Sequence, residues 1–376
     1  VPPFSLLGGP LHGLGLRLGL VRHGTNTVRL GLAIGVPMWG VLMLLALVDG
    51  IDVLTFEGFS AHARLLLAIP LLFVCESVLD PRLTEFVRTV ARSGVVPRAA
   101  LPDLQALVER LTRLKDAWLP ELLCLFAAMG LGWLGTTLQI PGFAGRDVAA
   151  ADLTLTGLWY WAVCLTVLRF LLLRWIWRLC LWCYFLWRLS RLPLRLLPSH
   201  PDGVAGLGKL ELAHGHFGPL VLAFSVILAA SFAADIHAGT LQLADLYSLI
   251  SLLLLVNAVL FVGPLFLFTP RLWACRVKGL NDYMELSERY VQDFEAKWLR
   301  ADTPPDEPLL GSADIQSLAD LGSSVERVYR MRLVPVSVRL LIQLAIPALL
   351  PMLPLVLFKV PLSELAEQFF TRLTRL

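Results

Sequence analysis

The run LYSLISLLLLVNAVLFVGPLFLF, Leu246–Phe268, contains no Asp, Glu, Lys or Arg. As a helix rising 1.5 Å per residue, it is long enough to cross a hydrocarbon core of about 30 Å. Further apolar stretches lie on both sides of it: Val28–Val48, Arg64–Leu79, Ala117–Leu138, Leu155–Trp177, Phe217–Ala234 and Val338–Val360. The fold class that follows is all-α. The chain reads as a polytopic membrane protein with about seven transmembrane helices and a small helical cytosolic layer.

Composition agrees. Of 376 residues, 57% are hydrophobic and only 16% charged, against about 25% charged in soluble domains. This excludes a soluble cytosolic enzyme, a disordered chain and a secreted disulfide scaffold. The net charge of +3 comes without a basic tract, so nucleic acid is not an expected partner. Cys180 and Cys183 form a CxxC inside a helical apolar run with no second pair. Neither a zinc site nor a redox motif is expected there.

The charges that remain are ordered. Loops rich in Arg and Lys alternate with loops nearly free of them. The N-terminal arm has Arg17, Arg22 and Arg29, and the loop after the second span has Arg82 to Lys115. The fourth has Arg188, Arg191, Arg195 and Lys209, and the sixth runs from Arg271 to Arg332. The bias predicts a cytosolic N-terminus. The organisation expected is a cytosolic N-terminal arm over 1–27 and a six-helix transmembrane bundle over 28–270, with cytosolic helical loops at 80–116 and 188–216. A cytosolic helical segment over 271–336 and a proline-broken last segment with its tail over 337–376 follow. In the third of these, Leu280, Tyr283, Leu286, Tyr290, Phe294 and Trp298 recur at helical spacing. That helix is expected to continue from the sixth span. Ser312 is a candidate cap for a second helix.

Ionisable residues inside spans are costly and mark functional candidates. Glu76, Glu121, Arg169 and Arg174 fall in the inner third of three spans, and Gln343 joins them from the last. Asn257 is the main polar residue further out. Two readings stay open: an interhelical clamp of Glu76 or Glu121 with Arg169 or Arg174, and a polar vestibule opening to the cytosol.

The last span, LLIQLAIPALLPMLPLVLF, has Pro347, Pro351 and Pro354 at spacings that share one helical face. Each proline removes a donor and disturbs the preceding turn. Carbonyls freed in this way are tolerated in a membrane only against protein or water. The proline face therefore either lines a path or packs on small residues of another span.

The fourth loop, SHPDGVAGLGKLELAHGH, gathers His200, Asp202, His214 and His216, which are metal-ligand or anion-binding types. It matches no zinc spacing. It departs from a Walker A loop at Leu210, where Ser or Thr is required. A tight turn is the leading reading of Asp202-Gly203.

Three segments, HPDGVAGLG (His200–Gly208), Phe268–Trp298 and GSADIQSLADL (Gly311–Leu321), resemble segments of bacterial multi-pass membrane proteins of no established activity. The resemblance covers a minor part of the chain and implies a bacterial inner membrane. In architecture alone the chain is similar to insect gustatory and odorant receptor channels, with seven spans, a cytosolic N-terminus and a last helix that lines the pore.

The expected function is an ion channel or transport protein, with a conduction path beside the last transmembrane helix. Gln343, Pro347, Pro351, Pro354 and Asn257 would line that path. The expected partners are the lipid bilayer, further copies of the chain as a homo-oligomer, and ions. No enzymatic activity and no cofactor are expected. Two alternatives remain: a membrane sensor or assembly scaffold whose cytosolic helices bind a partner, and an intramembrane metal-dependent enzyme using the His/Asp loop.

Overall fold

The computed structural model describes residues 4–21, 26–51, 59–138, 154–237, 239, 241–300, 308 and 313–357. The third loop, Ser312 and the tail beyond 357 lie outside the described residues, and so does the question of where the last segment ends.

The described chain is predominantly helical, and no strand occurs among the described residues. A short amphipathic helix, α1 (Pro10–Arg17), precedes the first span, α2 (Val28–Asp49), which Gly50 ends in a left-handed conformation at φ 67°. The second span is α3, Phe59–Arg92. It is one continuous helix, where the sequence separates a short span from a later helix. It contains a π turn at Ala63–Ala68, just before Pro70, whose missing N–H favours a widened turn. Helix α4 (Leu101–Asp116) starts with proline in its first turn and buries Leu104, Leu107, Val108 and Leu111. A 46° bend leads into α5 (Trp118–Leu138).

Helix α6 (Leu155–Arg191) extends the apolar stretch Leu155–Trp177 by several turns and has a π turn at Tyr160–Leu165. Helices α7 (Gly208–Gly215) and α8 (Gly218–His237) form the fifth span. The sixth span is α9 (Leu243–Asn257), continued by a π turn, Ala258–Val262, and a 3-10 stretch, Gly263–Phe268, around Pro264. It passes directly into α10 (Thr269–Trp298), as expected. Helix α11 (Ala313–Tyr329) folds back on α10, and Asp314 holds the pair through Lys297 at 2.7 Å and Trp298 Nε1 at 3.2 Å. The last span is α12 (Val338–Leu349), a 3-10 turn at Leu350–Met352, and α13 (Leu353–Leu357).

Six described helices are long and apolar enough to cross a membrane, or seven if the bent α4–α5 pair counts as one span. Their arrangement follows from where apolar and small residues fall. Helices α3, α6 and α8 carry the core, with Phe73, Trp182, Phe185 and Leu220 buried among them. Helices α2, α5 and α9 leave Leu47, Phe126 and Leu255 exposed, as lipid-facing helices do.

Candidate functional site

Glu76 and Asp80 stand four residues apart on α3, and Arg174 and Arg178 four apart on α6, so each pair shares a helical face. The two faces meet inside the bundle. Arg174 Nη1 donates to Glu76 Oε1 at 2.9 Å, and Arg174 Nε donates to Glu121 Oε1 of α5 at 2.8 Å. Arg178 donates to the same Glu76 oxygen. Glu76 is 2% exposed and Arg174 and Arg178 are each 3% exposed. Two carboxylates and two guanidiniums make the cluster neutral. Desolvating four charges is tolerated only with close pairing of this kind.

The N-terminal arm completes the cluster. Arg174 Nη2 donates to the Gly8 carbonyl at 3.2 Å, and the Leu11 N–H donates to Glu121 Oε2 at 3.0 Å. Asp80 accepts from the N–H groups of Leu6 at 2.7 Å and Leu7 at 3.3 Å. Lys115 Nζ donates to the Leu7 carbonyl at 2.5 Å. Phe4 anchors the arm in an aromatic core, with its ring centroid 4.8 Å from Phe185 and 5.9 Å from Trp182. The arm, read from the sequence as a cytosolic appendage, is packed into the bundle. Gly9 sits at φ 85°, and a Cβ there would fall on the Glu121 carboxylate. Glu76 Oε2 and Arg178 Nη2 have no hydrogen-bond partner among the described residues. Both residues line a cavity of about 10 Å³ beside Asp80, close to the size needed for one water.

A second buried polar group lies nearer the opposite end of the bundle. Arg64, on the π turn of α3, donates to the Tyr160 hydroxyl at 2.7 Å and to Ser231 Oγ of α8 at 2.8 Å. Tyr160 stands on the π turn of α6. Arg169 is also buried. A Cβ at Gly132 would lie 2.8 Å from its Nη1, so the bare glycine of α5 leaves room for the guanidinium.

Of the polar-layer residues expected from sequence, Glu76, Glu121 and Arg174 are brought together. Arg169 is not part of that group and lies toward Gly132. Two further buried arginines, Arg178 just past the stretch Leu155–Trp177 and Arg64 at the first position of Arg64–Leu79, are not among the residues expected from sequence. The four-residue step from Arg174 was the available signal for Arg178. Nothing in the sequence pointed to Asp80 as the anchor of the arm.

The residues expected along a path beside the last span have other partners. Gln343 packs against Gly215, and its carbonyl and Pro347 Cγ each lie 3.5 Å from where a Cβ would stand on Gly218. Ser225 Oγ of α8 donates to the Ala348 carbonyl at 2.5 Å. At Gln343, Pro347 and Ala348 the last span thus packs on small residues of another span. Pro347 and Pro351 are half-buried and Pro354 is exposed. Asn257 is buried, and its amide donates to Leu253 O at 2.8 Å on its own helix, not to Gln343.

The His/Asp loop divides in the same way. Asp202 accepts from the N–H groups of Val204 at 2.9 Å, Gly206 at 3.1 Å and Gly208 at 2.8 Å, and lies 2.9 Å from His200 Nδ1. Partial burial alone would raise its pKa. The hydrogen bonds from Val204, Gly208 and Gly206 outweigh burial and hold it below the ordinary aspartate value. His214 is buried elsewhere. Trp182 Nε1 donates to its Nε2 at 3.1 Å, so its Nδ1 carries the proton and donates to Phe261 O at 2.7 Å. Both ring nitrogens are used. His216 Nδ1 bonds Leu212 O at 2.7 Å. The four candidate ligands therefore do not form one set, and among the described residues no group of three metal-ligand side chains occurs. Arg332 ties the loop to the last span. Its N–H donates to Gly203 O at 2.8 Å and its Nη1 to Glu211 at 3.1 Å, while Glu211 also accepts from the hydroxyl of Ser337, the cap of α12.

No family model, no curated protein and no solved structure matches the chain.

Proposed function

We propose that the protein is a membrane transport protein for ions or small polar solutes, with its path between α3, α6 and α8. The supporting observation is the set of buried ionisable residues. Arg64, Arg169, Glu76, Arg174 and Arg178 are distributed along the α3–α6 pair from one end of the bundle to the other. Placing so many charges in a bundle core is expensive, and intramembrane ionisable residues are candidates for solute paths by default. Two π turns, which recur at functional sites, carry Arg64 and Tyr160 at one end. The N-terminal arm covers the cluster at the other.

In this reading the path moves from the last span, where Pro347 packs on Gly218 of α8, to the α3–α6 pair. The alternation of basic loops supports a cytosolic position for the arm, and the resemblance of three segments to bacterial multi-pass membrane proteins supports a bacterial inner membrane as the setting. Flux assays on proteoliposomes test the proposal, with a panel of monovalent cations, anions and protons under an imposed potential. Wild-type flux that falls in Arg64→Gln and Tyr160→Phe and stays unchanged in Gln343→Leu supports it. Absence of flux for every solute rejects it.

The α10–α11 hairpin favours a second reading, an assembly scaffold. Met284 is 55% and Leu286 51% exposed on a helix that buries only Leu272 and Gly279. Charged replacements at Met284 and Leu286 that leave flux intact and abolish co-purification of a partner would establish it.

A further inference from the structure

Arg188 and Arg191 take no part in the buried clusters. They stand in the last turn of α6 and, with Arg110 and Asp103 of α4, line a cavity of about 440 Å³. The cavity exists because α4 packs its apolar stripe, Leu104 to Leu111, inward. This leaves Asp103 and Arg110 at the edge facing the end of α6.

The three guanidiniums have no carboxylate partner among the described residues. Arg188 and Arg191 instead lie over the Trp187 ring, at 5.9 Å and 5.4 Å from its centroid. Three positive charges therefore face one carboxylate, Asp103. Next to them Arg271 donates to the Arg191 carbonyl at 3.5 Å and, with Lys278, lines a neighbouring cavity of about 350 Å³.

We propose that the cavity bounded by Arg110, Arg188 and Arg191 binds a phosphate-bearing anion, the chemistry shared by acidic lipid headgroups and soluble polyphosphates. Guanidinium forks match phosphate oxygens in pairs and stay charged at any physiological pH. Cation–π contact with Trp187 restrains two of the three before the ligand arrives, which lowers the ordering cost of binding. The volume suits a headgroup-sized ligand more than a bare ion. The site also lies where a spanning helix leaves its apolar stretch, with Trp187 and Trp273 exposed. Basic pockets between helices at that level hold acidic headgroups.

The test is native mass spectrometry of the delipidated full chain, titrated in separate arms with phosphatidylglycerol, phosphatidylcholine and inorganic pyrophosphate. The wild type is compared with R110Q/R188Q/R191Q. A second triple variant, R289Q/R300Q/R330Q, removes the same charge from the α10–α11 region. The expected result is at least about tenfold weaker binding of phosphatidylglycerol or pyrophosphate by the first variant, with no change in the second. If the triple variant does not fold, R110Q alone is expected to weaken binding about fivefold. Loss confined to phosphatidylglycerol assigns the site to a lipid headgroup, and loss confined to pyrophosphate assigns it to a soluble ligand. Equal binding by wild type and the first variant, equal loss in both variants, or equal affinity for phosphatidylcholine overturns the proposal.

Discussion

Glu76→Gln is the sharpest probe of the buried cluster. Glu76 Oε1 accepts from Arg174 at 2.9 Å and also from Arg178, and all three side chains are almost fully enclosed. The amide keeps the shape and removes the charge, so a neutral set of four becomes a buried net charge of +1. Breaking a buried pair by neutralising one partner costs about 3–5 kcal/mol. The upper part of that range is expected, because one carboxylate serves two guanidiniums. Adding Arg178→Gln restores neutrality and leaves Arg174 paired with Glu121 at 2.8 Å. The double variant should therefore be more stable than the sum of the singles predicts, with a coupling of at least about 2 kcal/mol. Reversible unfolding in mixed micelles, followed by far-ultraviolet circular dichroism, measures all four corners of the cycle. Additivity within about 0.5 kcal/mol would show that the charges act independently and would refute the reasoning.

Two glycines of α2 should behave oppositely. A Cβ at Gly35 would lie 2.5 Å from the Leu65 carbonyl oxygen, a backbone atom that cannot swing away, while nothing lies within 4 Å at Gly40. Gly35→Ala is expected to cost about 1–3 kcal/mol, and Gly40→Ala to be neutral or stabilising by up to about 1 kcal/mol, in the same unfolding assay. Gly9→Ala combines a left-handed φ with a collision against Glu121. It should loosen the arm, seen as faster proteolytic cleavage near residues 4–17 with the bundle intact. Asp202 has a depressed folded pKa, so its contribution is present above the ordinary aspartate value of about 4 and is lost as pH falls through the depressed value. Amide exchange at Val204, Gly206 and Gly208 should accelerate in Asp202→Asn at neutral pH and in the wild type only in strong acid. Unchanged exchange in Asp202→Asn would show that the carboxylate does not hold the loop.

The spans were legible because a helix in lipid must be apolar along its length, and composition alone reports that. Long-range pairing is less visible. Glu76, Glu121 and Arg174 stood out as charges in apolar runs, but their meeting depends on how α3, α5 and α6 rotate about their axes. Arg64 and Arg178 were hidden for the opposite reason. Each sits near a hydropathy boundary, where an arginine reads as a flank although the helix continues beyond it. Prolines gave a true signal about broken hydrogen bonding and no signal about the partner, since Gly215, Gly218 and Ser225 belong to a different span. The His/Asp loop shows the limit of residue type as a guide. Asp202 is engaged by three backbone N–H groups and His200, and His214 by an indole and a carbonyl, so these residues serve the loop and the core separately.

The packed arm also bears on how the protein is made. Residues 5–11 bond to Asp80, Glu121 and Arg174, with sequence separations of 75, 110 and 166 residues. A ribosome produces the arm well before α6 exists, so the bonds to Asp80 and Glu121 need only α3 and α5, whereas the Gly8–Arg174 bond has to wait for α6. Until then Glu76, Glu121 and Arg174 face an open seam. The seam is thus closed across α3, α5 and α6 by a segment synthesised before any of them.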